Sequence, residues 1–537
     1  MAQLTAEPPV TAPAPAATLG EQSSPPLVRP VRPRNGFSGR LLYAIAVPVA
    51  LLGLIPVGFI VYESLVLGWA GIEPILFRQR VVDLLGNTVS LAVVCVLGCV
   101  VIGVAAAWLI ERTDLPGRRV FGALLVAPLA VPAFVNSYAW ASLVPRFEGL
   151  AAAGLVTVLS YFPFVYLPVA AALRGLDTSL EESAQVLDRG RIAVFMGVVL
   201  PQLRVATLGG ALLVGLHILA EFGALQMIGY ETFTTVILVQ YQSTFNGPAA
   251  TMLAGLLVLC CLFFLCAELA ARGRVRYARV GSGVARTPRL ARLGVGRWPA
   301  LLALSTLLVF ALGVPAFAIT RWWLHGAHLG SDLMIALLTT LRLGALGALA
   351  TTAAALPIAW LAVRRRDRFS TLLERSAHLT SSLPGVVVAL ALVTVAIRWA
   401  HPVYQTTTLV VVSYLMLFLP RALVNLRAGI AQTAPELDDA ARALGASELR
   451  RVIQVTLPLI APGLASAAAF AFLAISTELT ATLLLAPNGT ETLATQFWNY
   501  SDSLDYAAAA PFAATMIALA APLTYVLLQQ SRKVRHQ

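Results

Sequence analysis

The sequence predicts an all-α polytopic membrane protein of twelve transmembrane helices, arranged as two parallel repeats of six. Of its 537 residues, 58% are hydrophobic and 12% are charged, whereas about a quarter of a soluble chain is charged. Many apolar runs reach the roughly 20 residues that a membrane-spanning helix needs. The two halves also repeat one sequence pattern. Lipid offers no partner for open backbone groups, so the spans are expected to be helices.

The apolar runs form two groups of six. The first group lies near 41–63, 86–110, 119–144, 150–173, 203–225 and 248–271. The second lies near 299–320, 333–362, 380–398, 406–426, 461–485 and 506–529. These groups predict a first half over 41–271 and a second half over 299–530.

Three segments lie outside the two halves. Residues 1–40 contain eight prolines and are expected to be a disordered cytoplasmic tail. Residues 531–537 are expected to form a second cytoplasmic tail. The linker 272–298 carries eight arginines and no acid. We expect it to be a cytoplasmic tether, and binding of anionic lipid is the alternative.

The arginines predict which side of the membrane each loop faces. If the N-terminus is cytoplasmic and twelve spans alternate, the inner segments hold 32 of the 38 basic residues. The segment 421–451 is counted among them. Loops rich in arginine stay on the cytoplasmic side. We therefore expect a multi-pass protein of the bacterial cytoplasmic (inner) membrane with both termini in the cytoplasm.

The repeat is visible as matches at a fixed offset. At an offset of 252 the matches are Asn87-Thr88 with Thr339-Thr340, Ala107-Trp108-Leu109 with Ala359-Trp360-Leu361, Pro132 with Pro384, and Leu167-Pro168 with Leu419-Pro420. At an offset of 257 they are Leu180, Ala184, Leu187, Leu200-Pro201 and Glu221 with Leu437, Ala441, Leu444, Leu457-Pro458 and Glu478. Because each half has six predicted spans, both halves cross the membrane in the same direction, and a pathway between them is expected.

Two inner loops each carry a short polar helix. In both, a Ser or Thr stands three residues before a Glu, which is the pattern of a capping box. The two pairs are Ser179 with Glu182 and Thr433 with Glu436. The helices are predicted to stop near Gly190 and at Gly445, and each loop returns to the membrane through Leu-Pro. An ordinary interfacial helix would also fit, but the repetition favours a docking helix for a groove on a cytoplasmic partner.

The second loop resembles the EAA loop of permease subunits of bacterial ABC importers. The resemblance lies in Leu437-Asp-Asp-Ala-Ala-Arg-Ala-Leu-Gly-Ala-Ser447 and Val455-Thr-Leu-Pro458. It covers roughly 85–271 and 335–530, and it implies two type I ABC importer permease repeats. It also implies that each loop holds a coupling helix that sits in a cleft of a separate ATPase. The implied coupling residues are Glu181, Glu182, Ala184, Leu187 and Gly190 in the first loop, and Asp438, Asp439, Ala440, Ala441, Leu444 and Gly445 in the second. The first loop departs from the pattern at Ser183 and at Asp188, where the family's glycine is expected.

The chain is not expected to hydrolyse ATP itself. A phosphate-binding loop needs a lysine, and the only lysine is Lys533, near the C-terminus. We expect a transporter subunit with no catalytic residue, no cofactor and no metal site of its own, in contact with the lipid bilayer and with no nucleic acid. The resemblance implies two copies of an ABC ATPase subunit, which bind ATP and Mg, and an extracytoplasmic substrate-binding protein.

Glu221 and Glu478 are the candidate pathway residues. Each stands twenty residues after its Leu-Pro proline, toward the outer half of a span. A carboxylate at membrane depth faces a cavity or a partner. A helix cap or an interhelical hydrogen bond is the structural alternative, and both readings stay open. His217, one turn before Glu221, matches Ala474 and is expected to be a buried hydrogen-bonding histidine.

The segments 476–485 and 489–495 are similar to the second half of fused ferric-iron permeases. Glu221-Phe-Gly and Glu231-Thr-Phe-Thr-Thr235 repeat part of this pattern in the first half. The resemblance implies iron transport, and carboxylate oxygens suit Fe³⁺. Permeases for thiamine, phosphonate or polyamine share the pattern and remain alternatives. A secondary transporter of the major facilitator type, favoured only by the loop Glu111-Arg-Thr-Asp-Leu-Pro-Gly-Arg-Arg119, and a membrane scaffold or receptor are further alternatives.

Overall fold

The computed structural model describes residues 37–176, 194–242, 246–272, 290–326, 330–365, 367–380 and 383–533. In these ranges the chain is built from helices and their connections. The helices of the first half are α1 Phe37–Leu52, α2 Ile55–Leu76, α3 Gln79–Arg112, α4 Arg118–Leu124, α5 Ala133–Leu143, α6 Gly149–Tyr161, α7 Pro163–Gly175, α8 Leu200–Ala220, α9 Gly223–Met227, α10 Phe233–Gln242 and α11 Gly247–Arg272.

The second half follows the linker with a similar series. Its helices are α12 Arg297–Leu308, α13 Val314–Leu324, α14 Ser331–Arg364, α15 Arg368–Leu379, α16 Gly385–Trp399, α17 Thr407–Ala431, α18 Pro435–Ala443, α19 Glu448–Arg451, α20 Leu457–Ser476, α21 Thr480–Leu485, α22 Leu493–Asp502 and α23 Tyr506–Lys533.

The fold class is confirmed, but the number of twelve spans is not. Among the described residues, nine helices are long and apolar enough to cross a membrane, or ten if one bent pair counts as a span. That pair, Arg118–Ala130 and Ala133–Leu143, bends by 91° where 119–144 was predicted to be one span. Pro132 lies at the bend, where its missing N–H and fixed φ favour a break. The predicted span 380–398 appears as α16, which has only 15 residues.

The internal repeat is confirmed in structural detail. α3 and α14 each have 34 residues and start 252 positions apart. Two π-helical turns, Phe195–Val199 and Val452–Thr456, precede α8 and α20 at the offset of 257. At the start of α10 and α22, the Phe233 N–H donates to Thr88 Oγ1 at 3.3 Å and the Leu493 N–H donates to Thr340 Oγ1 at 2.8 Å. The two halves therefore share backbone geometry as well as sequence.

The leading helices of each half pack against the opposite half. α1 contacts α14 and α15, and α2 contacts α16 as well as α11. In return, α13 contacts α5, and Leu304, Leu308 and Ala311 join the apolar core of the first half. Each half thus completes its buried surface with helices that belong to the other.

Two polar contacts fix this crossing. Arg398 donates through Nη1 and Nη2 to Glu63 Oε2 and Oε1, at 2.7 and 3.2 Å. Tyr43 Oη donates to Asp367 Oδ2 at 2.6 Å. A two-pronged arginine–carboxylate contact is directional as well as attractive, so the Glu63–Arg398 pair sets the register of α2 on α16.

The end of the basic linker is attached to the first half. The Asp114 N–H donates to the Ala291 carbonyl oxygen at 3.2 Å, and the Ala291 N–H donates to the Arg112 carbonyl oxygen at 2.8 Å. The Leu293 N–H donates to Asp114 Oδ1 at 2.8 Å. Residues 273–289, which include most of its arginines, lie outside the described ranges, so the tether and lipid interpretations both remain predictions.

Candidate functional site

Glu221 and Glu478 lie at matched breaks, where a long helix ends and a short one begins. α8 ends at Ala220 and α9 begins at Gly223, while α20 ends at Ser476 and α21 begins at Thr480. Glu221 Oε1 accepts a hydrogen bond from the Ala224 N–H, and Glu478 Oε1 accepts one from the Ala481 N–H, both at 2.9 Å. Each carboxylate therefore satisfies an N–H in the first turn of the short helix. One oxygen of each glutamate acts as a cap, and the other oxygen distinguishes the two sites.

The two glutamates have different neighbours at that other oxygen. Tyr161 donates its hydroxyl to Glu221 Oε2. The matched residue in the second half is Ser413, whose hydroxyl donates to the Val410 carbonyl oxygen at 2.7 Å. Among the described residues, no phenol therefore donates to Glu478: the nearby Tyr414 hydroxyl shares a hydrogen bond with Thr482 Oγ1 at 2.7 Å instead.

Arg421 and His217 join the two breaks into one group of polar side chains. Arg421 Nη2 lies 3.4 Å from His217 Nε2. Glu478 lies within electrostatic range of both Arg421 and Glu221. We call Tyr161, His217, Glu221, Arg421 and Glu478 the interhalf cluster, since the first three belong to the first half and the last two to the second.

The sequence analysis missed Arg421 as a member of this cluster. The residue was predicted within the cytoplasmic segment 421–451, whereas the structure places it within α17. α17 continues to Ala431, so Arg421 lies ten residues, or about 15 Å, inside the helix from its inner end. The sequence did contain a signal that Arg421 lies within a helix. The residue directly follows Leu419-Pro420, and the matched Pro168 lies within α7.

Carboxylates and a histidine could suggest a metal site. Within the described part of the chain, however, no three His, Cys, Asp or Glu side chains are grouped closely enough to hold a metal ion. The interhalf cluster is thus a group of polar side chains at the two breaks, and the pathway role of Glu221 and Glu478 stays a prediction.

The second predicted docking loop is formed by α18 and its glycine. The helix ends at Ala443, and Gly445 has a φ of +78°, which glycine adopts without strain. The Gly445 N–H donates to the Arg442 carbonyl oxygen at 3.0 Å, and the Ala446 N–H donates to the Ala441 carbonyl oxygen at 3.1 Å. These two bonds form a Schellman motif, which ends the helix where the sequence predicted.

The end of α18 projects an apolar side chain. Leu444 is 88% exposed and Leu437 is 47% exposed, while Ala440 is also exposed and Ala441 is half-buried. The side chains of Asp438 and Asp439 lie outside the described set. The first loop, with Glu181, Glu182, Ala184, Leu187 and Gly190, lies outside the described residues altogether. The coupling roles of both loops therefore stay predictions.

The capping box predicted for Thr433 and Glu436 is wrong. Pro435 is the first residue of α18, so Ala434 takes the cap position and no side chain caps the helix. The Thr433 hydroxyl instead donates to the Ile430 carbonyl oxygen at 2.8 Å, in the last turn of α17. Proline at the first helical position explains the shift, because it needs no N–H partner there.

Arg364 connects the docking loop to the long helix α14. Its Nη2 donates to Thr433 Oγ1 at 2.6 Å and to the Thr433 carbonyl oxygen at 3.1 Å. The matched residue at the end of α3 is Arg112, which is buried. Both arginines were predicted only to lie on the inner side of the membrane, although their separation of 252 positions places them at the same point of the repeat.

Comparison with known proteins adds the family context. A model of the family described as "Binding-protein-dependent transport system inner membrane component" matches residues 99–276 and 354–536. The Fe(3+)-transport system permease protein FbpB 2 of Haemophilus influenzae is 34% identical over 483 residues, which are 89% of this chain and 95% of that protein.

Two further relatives align over a smaller share of this chain, of their own length, or of both. The ferric transport system permease protein FbpB of Actinobacillus pleuropneumoniae is 25% identical over 394 residues, covering 69% of this chain and 56% of its own length. The sulfate transport system permease protein CysT of Salmonella typhimurium is 30% identical over 238 residues, covering 40% of this chain and 86% of its own length. The ferric-iron proteins thus match across both halves, whereas the sulfate protein matches less than half of the chain.

Proposed function

This chain belongs to the binding-protein-dependent transport system inner membrane components, and from that premise we propose that it is the permease subunit of an importer for ferric iron. Membership makes it a multi-pass inner membrane transporter subunit and excludes the major facilitator alternative. The observation that carries the choice of iron is the 34% identity to a Fe(3+) permease over 95% of that protein. Two carboxylates in one interhalf cluster agree with a cationic cargo.

Energy would enter through the two docking loops. Two copies of a separate ABC ATPase would bind ATP and Mg, while this chain holds no cofactor of its own. α18, with Ala440, Ala441, Leu444 and Gly445 at its exposed end, would sit in a cleft of one copy, together with Asp438 and Asp439. The loop with Glu181, Glu182, Ala184, Leu187 and Gly190 would sit in the other. Arg364 supports this assignment, because it connects the α18 loop to α14, a helix of 34 residues in the second half.

Transport would proceed by movement of the two halves relative to each other. ATP binding would close the ATPase dimer and draw the two docking loops together, which would turn the halves from inward- to outward-facing. A loaded extracytoplasmic binding protein would then release its ligand between the halves, where Glu221 and Glu478 would meet it. Hydrolysis would restore the first arrangement. The arginine distribution supports cytoplasmic termini.

Uptake of radiolabelled ferric iron tests this proposal. Cells would express the chain with its binding protein and ATPase, and a second strain would carry Leu444→Glu with Gly445→Pro. We expect uptake in the first strain and its loss in the second, because the substitutions remove the apolar end of α18 and the positive φ. Gln432→Glu, which adds the same charge to an exposed residue outside the docking helix, is the matched control and should retain uptake.

The outcomes distinguish the role of the chain as an importer subunit from the identity of the solute that it transports. If the loop variant imports iron at the wild-type rate, the coupling role is wrong. If an intact complex imports no iron, the importer class stands and the cargo must be sought among thiamine, phosphonates, polyamines and sulfate.

A further inference from the structure

Arg421 and His217 face each other across the boundary between the halves, and neither has an equivalent in the repeat. The residue matched to Arg421 is Val169, and the residue matched to His217 is Ala474. Two symmetric halves would give two such contacts or none, and this chain has one. The contact is therefore a feature of this pairing of halves and is not imposed by the repeated backbone.

The hydrogen bonds define His217 as a neutral acceptor. Its Nδ1 lies 2.8 Å from the Leu213 carbonyl oxygen, which can only accept, so Nδ1 carries the proton. Arg421 Nη2, at 3.4 Å from Nε2, can only donate, so Nε2 presents its lone pair. The rings of Phe164 and Tyr161 hold the imidazole at centroid distances of 4.4 and 5.6 Å. His217 is thus positioned in advance to receive a cationic donor.

Arg421 is a charged residue inside a helix that is otherwise largely apolar. Its side chain is exposed although it lies inside α17, a helix long and apolar enough to span a membrane. Exposure of an arginine to lipid is costly, so the guanidinium is expected to face polar groups or a partner within the protein. It also lies 5.5 Å from the centre of the Phe418 ring, which provides a second favourable contact for a cation.

Two carboxylates lie nearby without a direct ion pair to Arg421. Glu478 is within electrostatic range of Arg421 and of Glu221. In the part of the chain that the structure describes, no oxygen of either glutamate is within 4.0 Å of the guanidinium nitrogens. The charge of Arg421 therefore offsets part of the charge of Glu478 while its hydrogen bond is made to His217.

We propose that Arg421 is the resident cation of the pathway and that His217 is its resting acceptor. In the cargo-free protein their contact holds the two halves together at the interhalf cluster. When a cargo cation engages Glu221 and Glu478, Arg421 leaves His217 and the contact between the halves opens. The cargo in this inference rests on the proposed function, whereas the contact and its effect on the halves do not.

Thermal unfolding of the full chain in nanodiscs tests the contact. His217→Ala and Arg421→Gln are compared with each other and with the double variant. We expect each single variant to lower Tm and the double variant to lower it no further than the larger single effect, because the two side chains act as a pair. His217→Gln keeps an acceptor and should stay close to the wild type. Additive shifts in Tm would overturn the proposal.

ATP hydrolysis by the complete complex without binding protein tests the restraint. We expect Arg421→Gln and His217→Ala each to raise this basal rate about fivefold, which is the size expected for one lost hydrogen bond. Stimulation by the binding protein should persist, which shows that the variants are folded. Arg80→Gln, which removes the exposed Arg80–Glu231 pair within the first half, is the control and should leave the basal rate unchanged. Wild-type basal rates in both cluster variants would overturn the proposal.

Failure of this inference can be told from failure of the proposed function. Coupled Tm shifts and raised basal hydrolysis, in a complex that carries no iron, would remove iron as the cargo and leave the interhalf contact in place. Normal iron uptake, with cluster variants that match the wild type in both assays, would remove the contact and leave the proposed function in place.

Discussion

The breaks at Glu221 and Glu478 have the same backbone and different surroundings. In both, a glutamate follows a long helix and accepts an N–H three residues later at 2.9 Å. At the first break a phenol bonds the carboxylate, whereas at the second an arginine lies within electrostatic range. The capping geometry is therefore the same in both halves of this chain. The side chains around it have diverged, so the two halves need not contribute equally to function.

The largest difference between the two breaks is expected when the charge of Glu221 or of Glu478 is removed. We expect Glu478→Gln to lower iron uptake about tenfold and Glu221→Gln about threefold, where tenfold corresponds to about 1.4 kcal/mol. Glutamine retains one oxygen for the cap; at Glu221 its amide nitrogen also takes the place of the oxygen that accepts from Tyr161. Glu221 already shares one oxygen with Tyr161, and it should therefore contribute less to binding a cation. Initial uptake rates at equal amounts of complex measure both effects, and equal losses would contradict the asymmetry.

Tyr161→Phe should make the first break resemble the second. The variant leaves Glu221 Oε2 without its phenol donor, and the loss of a hydrogen bond to a charged group costs about 1.5–3 kcal/mol in the free energy of unfolding. Thermal or denaturant unfolding measures the change. Ser413→Ala is the matched control, since its hydroxyl returns to its own helix, and it should change stability by less than about 1 kcal/mol. A control effect as large as that of Tyr161→Phe would show that the phenol has no special role.

A smaller difference between the halves is expected in the stability that the N-terminal caps of helices α4 and α15 provide. Asp367 caps α15 by accepting from the Ser370 N–H at 2.6 Å, while Gly117 precedes α4 without a side-chain cap. The Tyr43 hydroxyl, and next the Ser370 N–H, hold the pKa of Asp367 below its usual value. The stabilisation from Asp367 is therefore complete above its ordinary pKa, near 4, and is lost as the pH falls through the lower folded pKa.

Asp367→Ala should accordingly cost about 1 kcal/mol at pH 7, the typical contribution of such a cap. The difference between variant and wild type should shrink as the pH falls below about 4. Unfolding followed by circular dichroism at several pH values measures this difference. A difference that is constant with pH would show that the carboxylate charge is not the source of the stabilisation.

The sequence predicted the parts of this fold that depend on regular patterns. Apolar run lengths located most of the long helices, and the fixed offsets identified the matched breaks at Glu221 and Glu478. The Schellman end of α18 followed from Gly445, because few other residues adopt a positive φ without strain. These features are local or periodic, so a single sequence contains them.

Features that depend on tertiary placement could not be predicted in the same way. Arg421 was assigned to a cytoplasmic segment, because an arginine near the end of an apolar run is normally counted as lying outside the membrane. Its partner His217 is 204 residues away in the chain, so no local pattern indicates their contact. Thr433 was assigned to a capping box, but Pro435 moved the helix start and Arg364 took the hydroxyl. The bend near Pro132 divided a run that hydropathy alone makes continuous.

The crossed leading helices have a consequence for biosynthesis. α1 and α2 emerge from the ribosome first, yet α14, α15 and α16, against which they pack, are encoded roughly 280 to 330 residues later. At a synthesis rate of about 5–20 residues per second, α1 waits on the order of 14–56 s for its partner surface. During this interval Glu63 is in the chain without Arg398. Because both halves belong to one polypeptide, Glu63 finds Arg398 within the same nascent chain. The early helices are tethered to the later ones when these insert.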